Sequence, residues 1–215
     1  MLNKQKILEK AASLLKLIIG HIIPYNRASI NSLVDFNRSV LFSWIPLEMP
    51  RFNLRSDLHI RKLNHEDFFN LTSGKGRFSE QARLYYVKRG IDTAYGVYLN
   101  EELVHMSWVY TASEYSKEPF QRLTLKDHEV EIVNCFTLEK CRGLGVYPYM
   151  IQFLSNLLFQ SGIERIYMMA DHKNFASQRG ITKAGLKQLG QIIYIRIPAT
   201  SSKSVYYRRY QSKNI

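Results

Sequence analysis

Between residues 129 and 160 a β-branched, strand-like run, Glu129 to Thr137, gives way to a run with helical spacing, Val146 to Gln160, across the turn Arg142-Gly143-Leu144-Gly145. Helix and strand periods differ, so the chain must change element at this turn. A further strand, Arg165 to Ala170, follows after Gly162. Strand, helix and strand in succession demand a crossover between parallel neighbours. Elsewhere, Thr93 to Leu99 and Leu103 to Tyr110 flank the polar turn Asn100-Glu101-Glu102, a hairpin signal that demands antiparallel neighbours. Both demands are met by a mixed α/β sheet with helices on its two faces.

The remaining elements fit that frame. Leu58 to Lys62 reads as a first strand, and His65 to Leu71 and Phe78 to Arg89 as two helices separated by Ser73-Gly74-Lys75-Gly76. A helix from about Asn174 to Ala184 stops at Gly185, Gln191 to Ile197 is a further strand, and Ser204 to Tyr210 is the last. Pro24, Pro46 and Pro50 punctuate the first fifty residues, which read as a helical extension (1–50) ahead of the main domain (51–215). In the extension, Ile7, Leu8, Ala11, Leu14, Leu15, Ile18, Ile19 and Ile22 recur at helical spacing, with lysines gathered elsewhere. The apolar face of such a helix needs a cover. The rest of the chain, a second subunit of a homodimer, or an anionic membrane surface would each serve.

Composition narrows the partners without naming them. The formal charge of +12 favours something anionic: a phosphorylated cofactor, an acidic carrier protein, nucleic acid or a membrane surface. Nucleic acid is disfavoured, since no zinc-finger spacing or aromatic RNA-binding signature is present. The two cysteines, Cys135 and Cys141, have no metal-ligand pattern and suit a reducing compartment, so a cytoplasmic protein is expected, with membrane association through the first helix as the variant.

The glycine turn is the candidate chemical feature. Glycines let the backbone bend with its N–H groups aimed at one spot, and the helix start adds partial positive charge, which suits a pyrophosphate. A dinucleotide fingerprint would need three spaced glycines, and a Walker loop would end in Lys-Ser/Thr; neither is present.

Here the chain resembles the GNAT (Gcn5-related N-acetyltransferase) superfamily, whose cofactor motif reads Arg/Gln-x-x-Gly-x-Gly/Ala: Arg142 and Gly145 match, and Tyr147 replaces the last small residue. The family's second motif, Asn-x-x-Ser/Ala followed by Lys-x-Gly-Phe, is matched by Asn174, Ser177, Lys183 and Gly185, with Leu186 in the aromatic place. The resemblance runs from about Leu58 to Ile197. It implies an acyl-CoA N-acyltransferase fold and transfer of an acetyl group from acetyl-CoA to a small-molecule amine.

By the same resemblance, the backbone of Arg142, Gly143, Leu144, Gly145, Val146 and Tyr147 would hold the pyrophosphate. Cys135, Phe136 and Thr137 would pair with the pantetheine and polarise the thioester, and Asn174 and Ser177 would contact the cofactor from the other side. An attacking amine must lose a proton, and Glu131, His105 and His172 are the candidate bases. Each also reads as an ordinary structural residue. Many family members carry a tyrosine seven residues after the Asn to protonate the leaving thiolate, and here that position is Ile181. The pattern around Cys135 to Pro148 is similar to relatives associated with bacterial surface polysaccharides, which makes an amino sugar the expected acceptor. A longer acyl donor on CoA or a carrier protein, a protein amine as acceptor, and a non-catalytic CoA-binding module are the alternatives.

Overall fold

The computed structural model describes the backbone of residues 35–44, 55–117, 123–196 and 205–210. The amphipathic segment read at the N-terminus lies outside them. The chain divides into two units, residues 40–190 and residues 1–39 with 191–215.

In the larger unit, β2 (Leu58–Lys62) is followed by α1 (His65–Ser73) and α2 (Arg77–Ala82), the latter running into a π-helical turn, Arg83–Val87. Then come β3 (Ala94–Leu99), β4 (Glu102–Tyr110), the short α3 (Ala112–Tyr115), β5 (Glu129–Thr137), α4 (Val146–Gln160), β6 (Arg165–Asp171) and α5 (Phe175–Lys183). The strand order is β2-β3-β4-β5-β6, with antiparallel pairs up to β4·β5 and a parallel β5·β6 pair. The expected mixed sheet is therefore present. The unit also holds Val40–Trp44 of strand β1 (Asp35–Trp44) and the start of β7 (Lys187–Arg196). No strand was expected near Val40, in a stretch read as extension. In the smaller unit, the other parts of β1 and β7 are followed in the sheet by β8 (Val205–Tyr210), and Arg38 Nε donates to Gln191 Oε1 at 2.8 Å.

Local chemistry accounts for the boundaries. Asn100 and Glu101 both adopt positive φ, 49° and 64°, so β3 and β4 are joined by a two-residue turn whose twist matches the strands. Helix α1 begins with a capping box: the Asn64 side chain accepts from the Asp67 amide, and Asp67 accepts from the Asn64 amide. Arg61 of β2 then grips Asp67 with two bonds, at 2.5 and 2.7 Å.

The sheet is packed on both faces. Against α4 lie Val97, Val109, Val130 and Ile132, covered by Met150, Ile151, Leu154 and Leu158. On the opposite face Trp108 stacks on Phe68 of α1 (5.6 Å) and meets Tyr85 of the π-turn at a tilt (4.8 Å), and Phe136 meets Phe78 of α2 edge-on. Offset aromatic pairs of this kind add to their area burial.

The Arg61 guanidinium and the Asn64 amide hold the Asp67 carboxyl below the usual carboxylate range. A carboxylate depressed in the fold stabilises above its unfolded pKa and stops doing so as pH falls through the folded value. Asp67→Asn is accordingly expected to lose about 1 kcal/mol at pH 7 through the cap and pair. The deficit should shrink on acidification below about pH 4, and urea midpoints at a series of pH values check it.

Candidate active site

Strand β5 changes partners part-way along. Its parallel ladder with β6 runs from Glu129↔Arg165 to Ile132↔Met168 and stops, although β5 continues to Thr137 and β6 to Asp171. The antiparallel ladder with β4 slips at the same place: Val133 pairs with Trp108, but Phe136 pairs with Met106, so Asn134 and Cys135 together oppose Ser107. Asn134 has φ 50°. This is a β-bulge, which bends the strand and raises its twist. Gln81 of α2 braces it, its Nε2 donating to the Asn134 carbonyl at 3.0 Å. Residues 134–137 of β5 and 169–171 of β6 are thus two edges with no ladder between them.

At the end of β5 the chain makes a short 3₁₀ turn, Glu139–Cys141, and reaches the glycines. Gly143 and Gly145 sit at φ 81° and 76°, where an L side chain would be strained. A Cβ at Gly143 would meet nothing within 4 Å, and one at Gly145 only the Arg55 guanidinium at 3.9 Å. Gly145 is the N-cap of α4 and supplies no side chain to the cap. Pro148 in the first turn has no N–H to satisfy. Among the described residues, none of the amides from Gly143 to Tyr147 donates to a protein acceptor. Arg55 locks the turn from behind: its Nη1 donates to the Leu144 carbonyl at 2.5 Å, its amide to the Tyr149 hydroxyl at 3.1 Å, and its other nitrogens to Asp57. With carbonyl 144 pinned, the five amides stand at a corner that is open at Gly143 and Gly145.

Tyr147 points into the protein. Its ring lies against the Cα of Gly180 on α5, where a Cβ would come within 2.5 Å of Cδ1 and 2.8 Å of Cε1. Its hydroxyl shares a 3.1 Å hydrogen bond with Ser177 Oγ. The large residue in the family's small-residue place is thus matched by a glycine on the helix it meets. Ile181 is fully buried.

The candidate bases part company. His105 is wholly buried on the face of α4, with Nδ1 2.7 Å from Thr137 Oγ1 and Nε2 2.7 Å from Ser107 Oγ, and its ring 5.9 Å from that of Tyr147. Burial pushes its pKa down to about 3, so it is neutral at pH 7 with both nitrogens engaged, the state of a residue that organises the strand end. Ser107 Oγ in turn donates to Cys135 Sγ at 3.2 Å. Burial raises the Cys135 thiol to about 12, a shift that the Ser107 bond opposes; it is no nucleophile near pH 7.

Glu131 is also fully buried. It lies between Val130 and Ile132, which face α4, so its side chain enters the other face. There its neighbours across the ladders are Tyr110 and Tyr167. His172 lies past the end of β6, beside Asp171 at 3.6 Å and partly exposed. Glu131 and His105 are therefore on opposite sides of the sheet, and His172 lies past the end of β6.

The other expected contacts divide similarly. Arg142 turns its side chain back on β5, with Nε donating to the Thr137 carbonyl at 3.3 Å and the guanidinium 5.8 Å from the Phe136 ring. Asn174 caps α5, its Oδ1 accepting from the Ser177 amide at 3.0 Å. Arg55, Gln81 and Gly180 were not anticipated. Only Gly180, a glycine inside a helical run, left a signal in the sequence.

No family model matches the chain, and no curated protein matches it. Solved structures do. A GNAT-family acetyltransferase from Colwellia psychrerythraea aligns at a TM-score of 0.53 and 13% identity over 75% of this chain and 56% of its own length. A GCN5-related N-acetyltransferase from Sphaerobacter thermophilus gives 0.52 and 10% over 88% and 56%. The aminoglycoside acetyltransferase AAC(6')-Ib, solved with coenzyme A and kanamycin, gives 0.51 and 17% over 72% and 95%. This chain thus spans little more than half the length of the first two.

Gly180→Ala should destabilise the protein by about 1–3 kcal/mol through overpacking against Tyr147, despite the ~1 kcal/mol helix preference of Ala. In a Tyr147→Ala background the same change should be neutral or favourable. A double-mutant cycle by denaturant titration reads the coupling.

Proposed function

Because the chain has the GNAT fold, we propose that it transfers an acetyl group from acetyl-CoA to a primary amine, and that the acceptor is an amino sugar used in bacterial surface polysaccharide synthesis. One observation carries the reading. The five amides of residues 143–147, which donate to no acceptor among the described residues, stand at the corner where β5, unpaired with β6 after Ile132, runs out. A diphosphate needs converging donors at a helix start, and an extended amide-bearing arm needs a strand edge. Here the two adjoin.

On this reading the Gly143–Tyr147 amides bind the pyrophosphate, and the loosened edge at Cys135, Phe136 and Thr137 takes the pantetheine. A backbone N–H of that edge polarises the thioester carbonyl; a fixed dipole aimed at developing negative charge needs no reorganisation during reaction. The amine enters on the face opposite α4 and yields a proton to Glu131, directly or through water. Its nitrogen bonds the carbonyl carbon, the C–S bond breaks, and the electron pair leaves with sulfur. No acyl-enzyme is required. The acceptor class rests on the sequence resemblance around Cys135 to Pro148 and on the kinship of fold with an enzyme solved with kanamycin.

Two substitutions divide the roles. Gly145→Glu places a carboxylate and an L side chain at φ 76° against the phosphates and is expected to abolish CoA binding in calorimetry while the protein stays folded. Glu131→Gln is expected to keep CoA affinity and to lower turnover of acetyl-CoA with glucosamine or other amines by about 10²–10⁴-fold. Wild-type protein without measurable CoA affinity would refute the reading.

A further inference from the structure

We propose that Gln81 is a positioning residue of the transfer reaction: by donating from α2 to the Asn134 carbonyl, it aims and strengthens the N–H at the other end of the same peptide group, that of Cys135, as the donor to the thioester oxygen. The proposal rests on the acyl-transfer reading above and names the side chain that prepares the polarising amide, which that reading leaves unassigned.

The bulge supplies the geometry. The Leu138 amide donates to the Val104 carbonyl of β4 at 2.9 Å. Successive amides of a strand turn to alternate sides, so Phe136 faces β4 as well, and the amides of Cys135 and Thr137 turn to the edge that is unpaired with β6. The Asn134–Cys135 peptide is trans, and in a trans peptide C=O and N–H point in opposite directions. The Asn134 carbonyl therefore points away from that edge, and there Gln81 Nε2 reaches it at 3.0 Å. Asn134 is also the residue of β5 at positive φ, 50°, so the bond falls on the peptide where the ladder slips.

Gln81 is a poor choice for packing alone. It is 2% exposed, and its Oε1 is buried and accepts from no group among the described residues. A methionine would fill the same space without that oxygen, and an unsatisfied buried acceptor is costly. What the amide adds is the one bond to Asn134, and only a donor can make it. With O and N exchanged, two carbonyl oxygens would face each other.

A hydrogen bond to a peptide oxygen draws electron density toward it and leaves the N–H of that peptide a stronger donor. Chains of such bonds reinforce one another by about 10–30% per bond. The bond also resists rotation of the peptide when the thioester oxygen pulls on it, which preorganises the dipole. As the amine nitrogen bonds the carbonyl carbon, the C=O π pair moves onto oxygen and meets the Cys135 N–H. That pair returns as the C–S bond breaks, sulfur keeps the electrons of the broken bond, and the proton of the amine goes to the base. Gln81 exchanges no proton and touches neither substrate.

The sequence makes this amide directly observable. Its cysteines are Cys135 and Cys141, and Asn-Cys occurs once, at 134–135. Full-length protein carrying ¹⁵N-cysteine and ¹³C-carbonyl asparagine thus identifies the Cys135 amide by NMR. Cys141, whose N–H donates to the Leu138 carbonyl at 2.9 Å, is the internal reference. Acetyl-CoA with ¹³C at the thioester carbonyl is added to wild type and to Gln81→Met, and thermal unfolding checks that the variant packs. In wild type, the Cys135 amide proton and the thioester ¹³C should both move downfield on binding. In Gln81→Met both displacements should shrink by at least about 10–30%, with acetyl-CoA affinity by calorimetry unchanged. Turnover with glucosamine should fall by about two- to tenfold at unchanged KM for acetyl-CoA. Equal displacements in the two proteins would overturn the role of Gln81 and leave the acyl-transfer reading standing. Loss of acetyl-CoA affinity together with the displacements would also overturn it, in favour of a brace that only holds the strand. Failure of wild type to bind acetyl-CoA would overturn both readings.

Discussion

The bulge at Asn134 and Cys135 governs the arrangement of the site. A regular β5 would keep pairing with β6 as far as Cys135, opposite Asp171 at the end of β6, and the backbone groups on that edge would be spent in the ladder. One inserted residue bends the strand away, and the cost is a set of backbone groups that lose their partners. Gln81 offsets part of that cost by binding the Asn134 carbonyl from α2. Asparagine is also among the few non-glycine residues that tolerate φ near 50°. The other freed groups sit at the strand end, beside the corner where α4 begins.

That corner has its own economy. A helix start carries donors without intrahelical partners, and most proteins satisfy some with a Ser, Thr, Asp or Asn cap. Here the cap position is Gly145, which offers none, and Pro148 removes one donor outright. Arg55 fixes the turn through its carbonyl side at Leu144, which stiffens the loop without using any of the amides. The result is a preorganised donor set, and preorganisation is what makes such sets effective toward anions. Tyr147 would crowd this corner if it pointed outward. Gly180 lets it fold inward, so the departure from the small-residue pattern at 147 is absorbed on another helix.

What could be read from the sequence follows the range of the interactions involved. The glycine turn, the β3–β4 hairpin and the order of elements from Leu58 onward rest on short-range rules of period, turn and cap, and they appear in the structure with boundaries shifted by a few residues. The strand Asp35–Trp44 was missed because Val40, Leu41 and Phe42 form a continuous apolar run without the alternation that marks a half-exposed strand. The π-helical turn Arg83–Val87 was absorbed into the helix expected from Phe78 to Arg89. At the site, the corner residues were legible because backbone geometry needs glycine. The side-chain roles were not, since they depend on which face of the sheet a residue enters. A bulge reverses that assignment within β5, and nothing in the local pattern around Asn134 announces one apart from the asparagine itself.

The separation of faces gives the site its logic. On the face of α4, Thr137, His105, Ser107 and Cys135 form a hydrogen-bonded row of neutral groups. His105 held at a pKa of about 3 brings no charge to it. Neutral groups with both partners supplied keep a strand end rigid without adding a buried ion, which would be costly in so dry a region. The carboxylate of Glu131 stands on the opposite face. The sheet does not isolate the two faces electrostatically, since the Glu131 carboxylate adds to the upward shift of the Cys135 thiol. On the proposed function, Glu131 becomes neutral as it takes up the proton of the amine, which removes its opposition to a thiolate forming near Cys135.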